Sequence, residues 1–241
     1  MSSYADKDLY EKLSDWFINN KRVENYYHEV RKDDKVEYLQ YGVDRVGVAY
    51  NTTYGKDKNS LEWQRYYQES IEGIHSLRDF CYPFLSPIDH LRVELDELWS
   101  KSCHVANFEG EKMFVGIGRI MDASTSGIAE EQPHFDSVPD KLGHLKSQFS
   151  ANVYLKMPSE GGELEIWDMT PLPIQEIDNA KMDTDWRRLL PKSFLIKPAL
   201  GDLVFINTRR AHAIRKFNEG KRVTLQCFIG LDQNQSLNLW N

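Results

Sequence analysis

The stretch GDLVFINTRRAHAIRK, residues 201–216, contains two short runs of β-prone residues separated by a polar turn. The first run spans about Asp202–Ile206, and the second spans about Ala211–Lys216. Runs of this length, rich in branched and aromatic residues and bounded by turn-forming residues, are typical of neighbouring β-strands. The stretch therefore predicts two strands joined by a turn, with no helix between them.

The same pattern extends over the C-terminal half of the chain. Short runs predict eight strands at about 114–121, 133–138, 148–156, 163–167, 193–197, 202–206, 211–216 and 222–231. Strands that follow one another without intervening helices favour a β-sandwich or a barrel. The exception is Met169–Lys192, a long segment with three prolines. We interpret it as a lid insertion with a short helix, because connections of this length often cover binding sites.

The first hundred residues show helical spacing of apolar residues instead. The spacing predicts an amphipathic helix around Leu9–Phe17. A second helix is predicted to begin at Asn59, which has capping-box spacing to Glu62, and a third to follow Ser86. The segment 36–50 is rich in β-branched and aromatic residues and can add one or two strands. We expect these helices to pack on the outside of the β structure.

Composition excludes several classes of protein. The chain has 241 residues, 41% of them hydrophobic, and a net charge of −7, which argues against a nucleic-acid binder. Cys81, Cys103 and Cys227 are widely spaced, which argues against a zinc site or a disulfide framework. No apolar run is long enough to span a membrane. We predict a cytoplasmic protein without membrane or nucleic-acid partners; its oligomeric state stays open, with a homodimer as one alternative.

A candidate metal site begins at Gln132-Pro133-His134-Phe135-Asp136. On a strand, residues i and i+2 project from the same face, so His134 and Asp136 can converge on one point. Two histidines and one carboxylate are the ligands of a non-haem iron(II) facial triad. The pair alone is a weak signal, since a histidine hydrogen-bonded to a nearby acid on a barrel rim has the same pattern.

Later residues make the signal specific. His212 follows after a further strand, Arg222 comes ten residues later, and Thr224 lies two residues beyond. With His134 and Asp136, this order resembles the Fe(II)/2-oxoglutarate-dependent dioxygenase superfamily, in the branch that acts on amino acids and small metabolites. The resemblance covers roughly residues 112–231, including the strand–turn–strand pattern at 152–166.

The resemblance implies a mainly β fold with flanking helices. Its core would be a double-stranded β-helix (a jelly-roll or cupin-like core) with the N-terminal helices packed outside. We expect a single domain over 1–241, with a mainly helical support region at 1–105 and the catalytic core at 106–232. The lid insertion would occupy 169–192, and residues 233–241 would form a C-terminal tail.

The resemblance also implies the roles of the site residues. His134, Asp136 and His212 would be the catalytic iron ligands, and Arg222 and Thr224 would bind the far carboxylate of 2-oxoglutarate. Tyr154 is a candidate third contact, with a core aromatic as the equal alternative. The cofactors implied are Fe(II), 2-oxoglutarate and O2, with ascorbate as a candidate stimulant. Because related halogenases lack the acid, Asp136 favours hydroxylation, while desaturation and cyclisation stay open.

The substrate lies outside the shared motifs. Arg210, beside His212, is a candidate for an anionic substrate group, and Trp167 and Trp186 are candidates for pocket walls. For Arg119 we expect an exterior ion pair. Small size and mixed charge favour a small polar metabolite, such as a free amino acid or a derivative. A peptide or carrier-bound intermediate is the alternative substrate, and a cupin-like metal isomerase or non-catalytic jelly-roll binding protein is the alternative of another class.

Overall fold

The described residues contain thirteen strands, arranged in three sheets. The computed structural model describes residues 1–32, 35–108, 110–124, 131–136, 145–173, 176 and 186–241, with backbone only for 27–32, 35–41 and 186. In chain order the strands are β1 (Glu24–Lys32), β2 (Lys35–Val46), β3 (Cys103–Val105), β4 (Asn107–Phe108), β5 (Glu111–Lys112), β6 (Ile117–Asp122), β7 (Ser147–Lys156), β8 (Leu164–Trp167), β9 (Ser193–Ile196), β10 (Leu203–Asn207), β11 (His212–Ile214), β12 (Lys221–Leu231) and β13 (Leu237–Trp240).

Strand β12 is the centre of the larger sheet. It pairs with β7 along one edge, and with β6 and then β13 along the other. The sheet continues from β7 to β10, from β6 through β2 to β1, and from β13 to β3, which runs parallel. All other pairings in it are antiparallel. A smaller antiparallel sheet has the order β11-β8-β9.

The two sheets pack against each other through apolar side chains. One buried cluster joins residues of the larger sheet to residues of the smaller one: Val43, Met121, Leu164, Ile206, Ile214 and Phe217. Two facing antiparallel sheets with short strands are a jelly roll. The predicted mainly β fold with a jelly-roll core is therefore confirmed, and six of the eight predicted strands match observed strands to within about two residues at each end.

The described residues include four α-helices, α1 (Lys7–Ile18), α2 (Leu61–Cys81), α3 (Pro87–Leu98) and the short α4 (Trp186–Leu189), and a single 3-10 turn at Tyr50–Thr53. The hydroxyl of Ser86 accepts a hydrogen bond from the Asp89 amide and caps α3, as predicted. The predicted cap at Asn59 was wrong. Ser60 caps α2 by accepting from the Trp63 amide at 3.3 Å, while the amide of Asn59 bonds to Asp57.

Helix α1 lies on the face of the larger sheet that points away from the smaller one. Its buried Leu13 and Phe17 belong to the main hydrophobic cluster together with residues of β6, β7 and β12. The Phe17 ring sits where a side chain of Gly118 would be, since a Cβ built there would lie 2.3 Å from the ring. A glycine in β6 thus allows the helix to approach the sheet closely, and the helices lie outside the β core as expected.

The C-terminus differs from the expectation. Residues 233–241 were predicted to be a tail, but Leu237–Trp240 forms β13 inside the larger sheet, and Leu239 and Trp240 are almost completely buried. The segment is short, and its burial depends on the edge that β12 offers, which local spacing does not reveal. Strand β1 was also missed.

Three further observations complete the fold. The three cysteines are buried and free. No helix among the described residues has the length and apolar character needed to cross a membrane.

Of the predicted lid insertion at 169–192, the structure describes 169–173, 176 and 186–192. The predicted short helix is present as α4, and the rest of the insertion lies outside the described residues.

Candidate metal centre

Backbone hydrogen bonds bring His134 and His212 together. The amide of each donates to the carbonyl of the other at 3.0 Å, which makes His134 an isolated antiparallel bridge partner of β11. The amide of Asp136 donates to the carbonyl of Thr208 at 3.2 Å. The segment that carries two predicted ligands is therefore attached along the turn and strand that carry the third.

The three side chains converge on one point. The candidate ligand atoms of His134, Asp136 and His212 all lie within 4.8 Å of one another, and His212 Nε2 is 3.5 Å from Asp136 Oδ2. No other group of three or more His, Cys, Asp or Glu side chains among the described residues is arranged in this way. Two imidazoles and a carboxylate suit iron(II), with positions left for further ligands.

Hydrogen bonds fix the orientation of both imidazole rings. His134 Nδ1 lies 2.9 Å from the carbonyl oxygen of Gln132, and His212 Nδ1 lies 3.0 Å from that of Arg210. A carbonyl only accepts, so each Nδ1 carries the proton. Each Nε2 is then the nitrogen available to a metal when the ring is neutral, which is the usual arrangement for metal-binding histidines; when the ring is protonated, Nε2–H of His212 can instead donate to Asp136, 3.5 Å away.

The electrostatics of the site keep Asp136 ionised. Burial alone raises the pKa of this carboxyl, but the charge and hydrogen bond of His212, with the charges of His134 and Arg119, lower the pKa by more. The net pKa lies below the ordinary value for aspartate. A carboxylate that stays deprotonated among cationic or neutral donors is a ready ligand for a divalent cation.

Arg222 is a buried cation beside this site. Only 6% of it is exposed; Nη2 donates to the Tyr154 hydroxyl at 3.2 Å, and Cζ lies 5.0 Å from the centre of the Tyr154 ring. Its Nε has no hydrogen-bond partner, and no carboxylate of the described residues forms an ion pair with it. A buried guanidinium with an unsatisfied donor is costly unless an anion binds there.

The strand register places a row of polar residues on the inner face of the larger sheet. Thr224 lies opposite Tyr154 on β7 and opposite Arg119 on β6, so these three side chains share a face. Two residues further along β12, Gln226 lies opposite Asn152, and its side chain accepts a hydrogen bond from Arg119 at 3.3 Å. The exterior ion pair expected for Arg119 was therefore wrong, because alternation turns this side chain inward.

Trp167, one of the three predicted substrate contacts, does not face the metal ligands. Ile166 is the register partner of His212, so it lies on the face of β8 that points to the metal ligands. Trp167 follows it and lies on the opposite face, where it packs with Ala211 and Ala213 and is only 3% exposed. It is therefore part of a core cluster and not a pocket wall, because the alternation of β8 turns it away from the metal ligands. Trp186 begins α4, and its side chain lies outside the described part of the chain.

Arg210 is the third predicted substrate contact. Its side chain is 40% exposed and lies 4.0 Å from Asp168, so the guanidinium points to the surface and does not lie beside the imidazole of His212. Arg210 stands in a turn, where strand alternation does not apply, and its carbonyl rather than its guanidinium meets the imidazole of His212. Gln226 was overlooked in the sequence, although the spacing from Arg222 and Thr224 along one strand would have predicted it.

A second concave region lies away from the metal centre. It is a cavity of about 500 Å³ between α1, α2 and the end of β2, and it contains none of the predicted site residues. Its charged groups pair with each other, as in Arg45 with Glu24 and Arg65 with Glu24 and Glu69. The chemistry of interest therefore lies between the two sheets.

The fold and this His–Asp–His group define the class: a jelly-roll protein with a candidate non-haem metal centre. Residues 123–230 match the model of the 2OG-Fe(II) oxygenase superfamily, and this region contains all three candidate metal ligands. Iron(II) and 2-oxoglutarate are the metal and co-substrate after which the superfamily is named. No protein of curated function matches the chain in sequence.

Solved structures share the fold at low sequence identity. An N-substituted L-amino acid dioxygenase from Burkholderia ambifaria AMMD aligns with a TM-score of 0.54 and 11% identity over 90% of this chain and 100% of its own. HygX from Streptomyces hygroscopicus, with nickel and 2-oxoglutarate bound, aligns with a TM-score of 0.51 and 12% identity over 95% of this chain and 81% of its own. These likenesses agree with the jelly-roll fold.

Proposed function

We propose that this protein is an iron(II)- and 2-oxoglutarate-dependent oxygenase that hydroxylates a C–H bond of a small polar metabolite, such as an amino acid or its derivative. The observation that carries the proposal is Arg222, a buried guanidinium with an unsatisfied Nε on the inner wall of the jelly roll that also holds the His–Asp–His group. A dicarboxylic co-substrate explains both the metal site and the buried arginine, because one of its carboxylates would bind the metal and the other would pair with the guanidinium.

The donor set fits the metal. His134 and His212 would bind iron(II) through Nε2, because both Nδ1 atoms are occupied by backbone carbonyls. Asp136 would supply the carboxylate, and its lowered pKa keeps it ionised at neutral pH. A bound iron(II) supplies the redox chemistry by which dioxygen and 2-oxoglutarate oxidise a C–H bond.

The residues around Arg222 fit the far carboxylate of 2-oxoglutarate. Arginine offers a planar fork that matches a carboxylate with two hydrogen bonds. The Tyr154 hydroxyl, which accepts from Arg222 Nη2, holds the guanidinium in place and can donate its own proton to the anion. Thr224, on the same face two residues along β12, adds a hydroxyl. The sulfur of Met121 lies 3.9 Å from Nη1 and places an apolar side chain beside the fork.

A polar inner wall supports a polar substrate. Asn152 and Gln226 are buried opposite each other, Ser150 accepts a hydrogen bond from Asn152, and Arg119 bonds to Gln226. Amide and hydroxyl groups in a buried wall would be costly if they faced an apolar ligand. Such groups can instead orient the carboxylate, amine or hydroxyl groups of a small metabolite.

The presence of Asp136 favours hydroxylation over halogenation, because the carboxylate takes the position that a halide would need. One atom of dioxygen would enter the substrate C–H bond as a hydroxyl group, and the other would enter the succinate that forms as 2-oxoglutarate loses CO2. The protein would hold the substrate and 2-oxoglutarate close together and exclude water from the site.

The test is an anaerobically purified protein given Fe(II), 2-oxoglutarate, ascorbate and oxygen, with a panel of amino acids and their derivatives. We expect succinate formation that depends on 2-oxoglutarate, and a product heavier by one oxygen atom. His212→Ala is the matched negative control, since it removes one imidazole and leaves Arg222 in place. Absence of 2-oxoglutarate-dependent succinate from the wild-type protein, with and without the panel, would contradict the proposal.

A further inference from the structure

A buried carboxylate lies behind the metal centre, on the outer face of the smaller sheet. The side chain of Glu165, in the middle of β8, is 7% exposed. Its Oε2 accepts from Arg187 Nη1 at 2.7 Å and lies 3.4 Å from Arg215 Nη1, while Oε1 accepts from the Ser193 hydroxyl at 2.8 Å. Burial alone raises the pKa of Glu165, but the bonds and charges of Arg187, Ser193 and Arg215 lower the pKa by more.

Of the two arginines, Arg187 also reaches a second part of the chain. Its Nη2 donates to the backbone carbonyl of Glu131 at 2.6 Å, and its Cζ lies 5.3 Å from the centre of the Trp167 ring. One guanidinium of α4 thus joins β8 to the segment 131–136. Arg215 has no such second bond among the described residues.

Arg187 binds the carbonyl of Glu131 and the carboxylate of Glu165, and each of these residues is next to one that contacts a metal-binding histidine. The carbonyl of Gln132, the residue after Glu131, holds Nδ1 of His134 at 2.9 Å. Ile166, the residue after Glu165, is the register partner of His212. A shift of the 131–136 segment relative to β8 would therefore move one imidazole relative to the other.

We propose that Arg187 is a positioning residue of the metal centre, which locks the segment carrying His134 and Asp136 onto β8; this rests on the metal site proposed above. The segment 131–136 contains no regular strand, and its other backbone bonds to the smaller sheet and its connecting turn are those of His134 and Asp136 themselves. Arg187 adds an independent, charge-assisted attachment. Partners beyond the ligands set the orientation of the ligands, and their loss weakens metal binding about tenfold to a hundredfold.

The test compares Arg187→Gln with Arg215→Gln in the full-length protein. Both variants remove one positive charge from Glu165, but only Arg187→Gln breaks the bond to Glu131. We measure the Kd of Co(II) for the metal-free protein by calorimetry, the visible absorption spectrum of the Co(II) complex, and the thermal unfolding of the metal-free protein. Arg187→Lys, which keeps the charge without the fork, is a conservative variant.

We expect Arg187→Gln to raise the Kd of Co(II) about tenfold and to change the Co(II) spectrum. Arg215→Gln should leave both close to wild type, and Arg187→Lys should fall in between. Equal Co(II) affinity in the wild type and both Gln variants overturns the inference. Equal weakening of Co(II) binding in both Gln variants also overturns it, because the effect would then come from the lost charge beside Glu165. If Arg187→Gln fails to fold, Arg187→Lys decides by the same comparison. Failure of the wild-type protein to bind Co(II) contradicts the metal site itself and not the role of Arg187 alone.

Discussion

His134 and His212 exchange two backbone hydrogen bonds of 3.0 Å, although 78 residues separate them in the sequence. Their imidazoles are therefore held by peptide groups of two different segments, and each ring is oriented by a carbonyl two residues before it. The candidate metal centre exists only when the jelly roll has formed. Metal binding and folding of this region should for that reason be coupled.

Replacement of Asp136 tests the ligand set. Asp136→Gly removes the carboxylate while leaving both imidazoles, so we expect the Kd of Fe(II) or Co(II) to rise by at least about a hundredfold and hydroxylation to be lost. Anaerobic calorimetry measures the first effect, and product analysis by mass measures the second. Full hydroxylation by this variant would show that Asp136 is not a ligand.

Replacement of Arg222 tests the co-substrate site. Arg222→Ala removes the buried fork, and we expect the 2-oxoglutarate concentration for half-maximal turnover to rise about a hundredfold, which corresponds to about 2.7 kcal/mol. The affinity of the metal-free protein for Co(II) should change by less than about threefold, because Arg222 is not a metal ligand. The idea is refuted if Arg222→Ala weakens metal and 2-oxoglutarate binding equally.

Replacement of Tyr154 should raise the 2-oxoglutarate requirement less than replacement of Arg222 does. Tyr154→Phe keeps the buried ring but removes the hydroxyl that accepts from Arg222 Nη2. One lost hydrogen bond of about 0.5–1.5 kcal/mol predicts a rise of about two- to tenfold in the 2-oxoglutarate requirement, with no change in the Co(II) spectrum. An unchanged requirement would indicate that Tyr154 is only a core aromatic residue.

The contact of α1 with the larger sheet can be tested by stability alone. In Gly118→Ala the new methyl group would meet the Phe17 ring at 2.3–2.7 Å. We expect the free energy of unfolding to fall by about 1–3 kcal/mol, as is typical of an overfilled core. Urea unfolding measures the loss. In a Phe17→Leu background the same substitution should cost less, and an equal cost in both backgrounds would argue against the clash.

Asp89 should make stability depend on pH. Burial alone raises the pKa of Asp89, but its paired bonds from Arg78 and the Ser86 hydroxyl lower the pKa by more, so the folded pKa lies below the unfolded one. The stabilisation is then complete above about pH 4, the unfolded pKa, and is lost as the pH falls through the folded pKa. Asp89→Asn should lower the free energy of unfolding by about 1–2 kcal/mol at pH 7 and by much less at pH 3. A loss of equal size at both pH values would contradict this.

The sequence by itself determined the local features of this protein. The period of two indicated strands correctly in most of the short runs, but the described part of the predicted strand at 133–138 forms only an isolated bridge at His134. The Ser86-Pro87 pair correctly located the start of α3, because a cap bonds within one turn of its own helix. These features depend on interactions between near neighbours, which the sequence order fully specifies.

Only the tertiary structure decided which way each side chain points. Arg119 turns inward beside Thr224, Trp167 turns outward into a core cluster, and Arg210 stands in a turn that alternation does not govern. Likewise Leu237–Trp240 became a strand because β12 offered it an edge. The period of a strand defines two faces but not which of them is inside; that choice depends on the sheet packed against it, and so on contacts between residues far apart in the sequence.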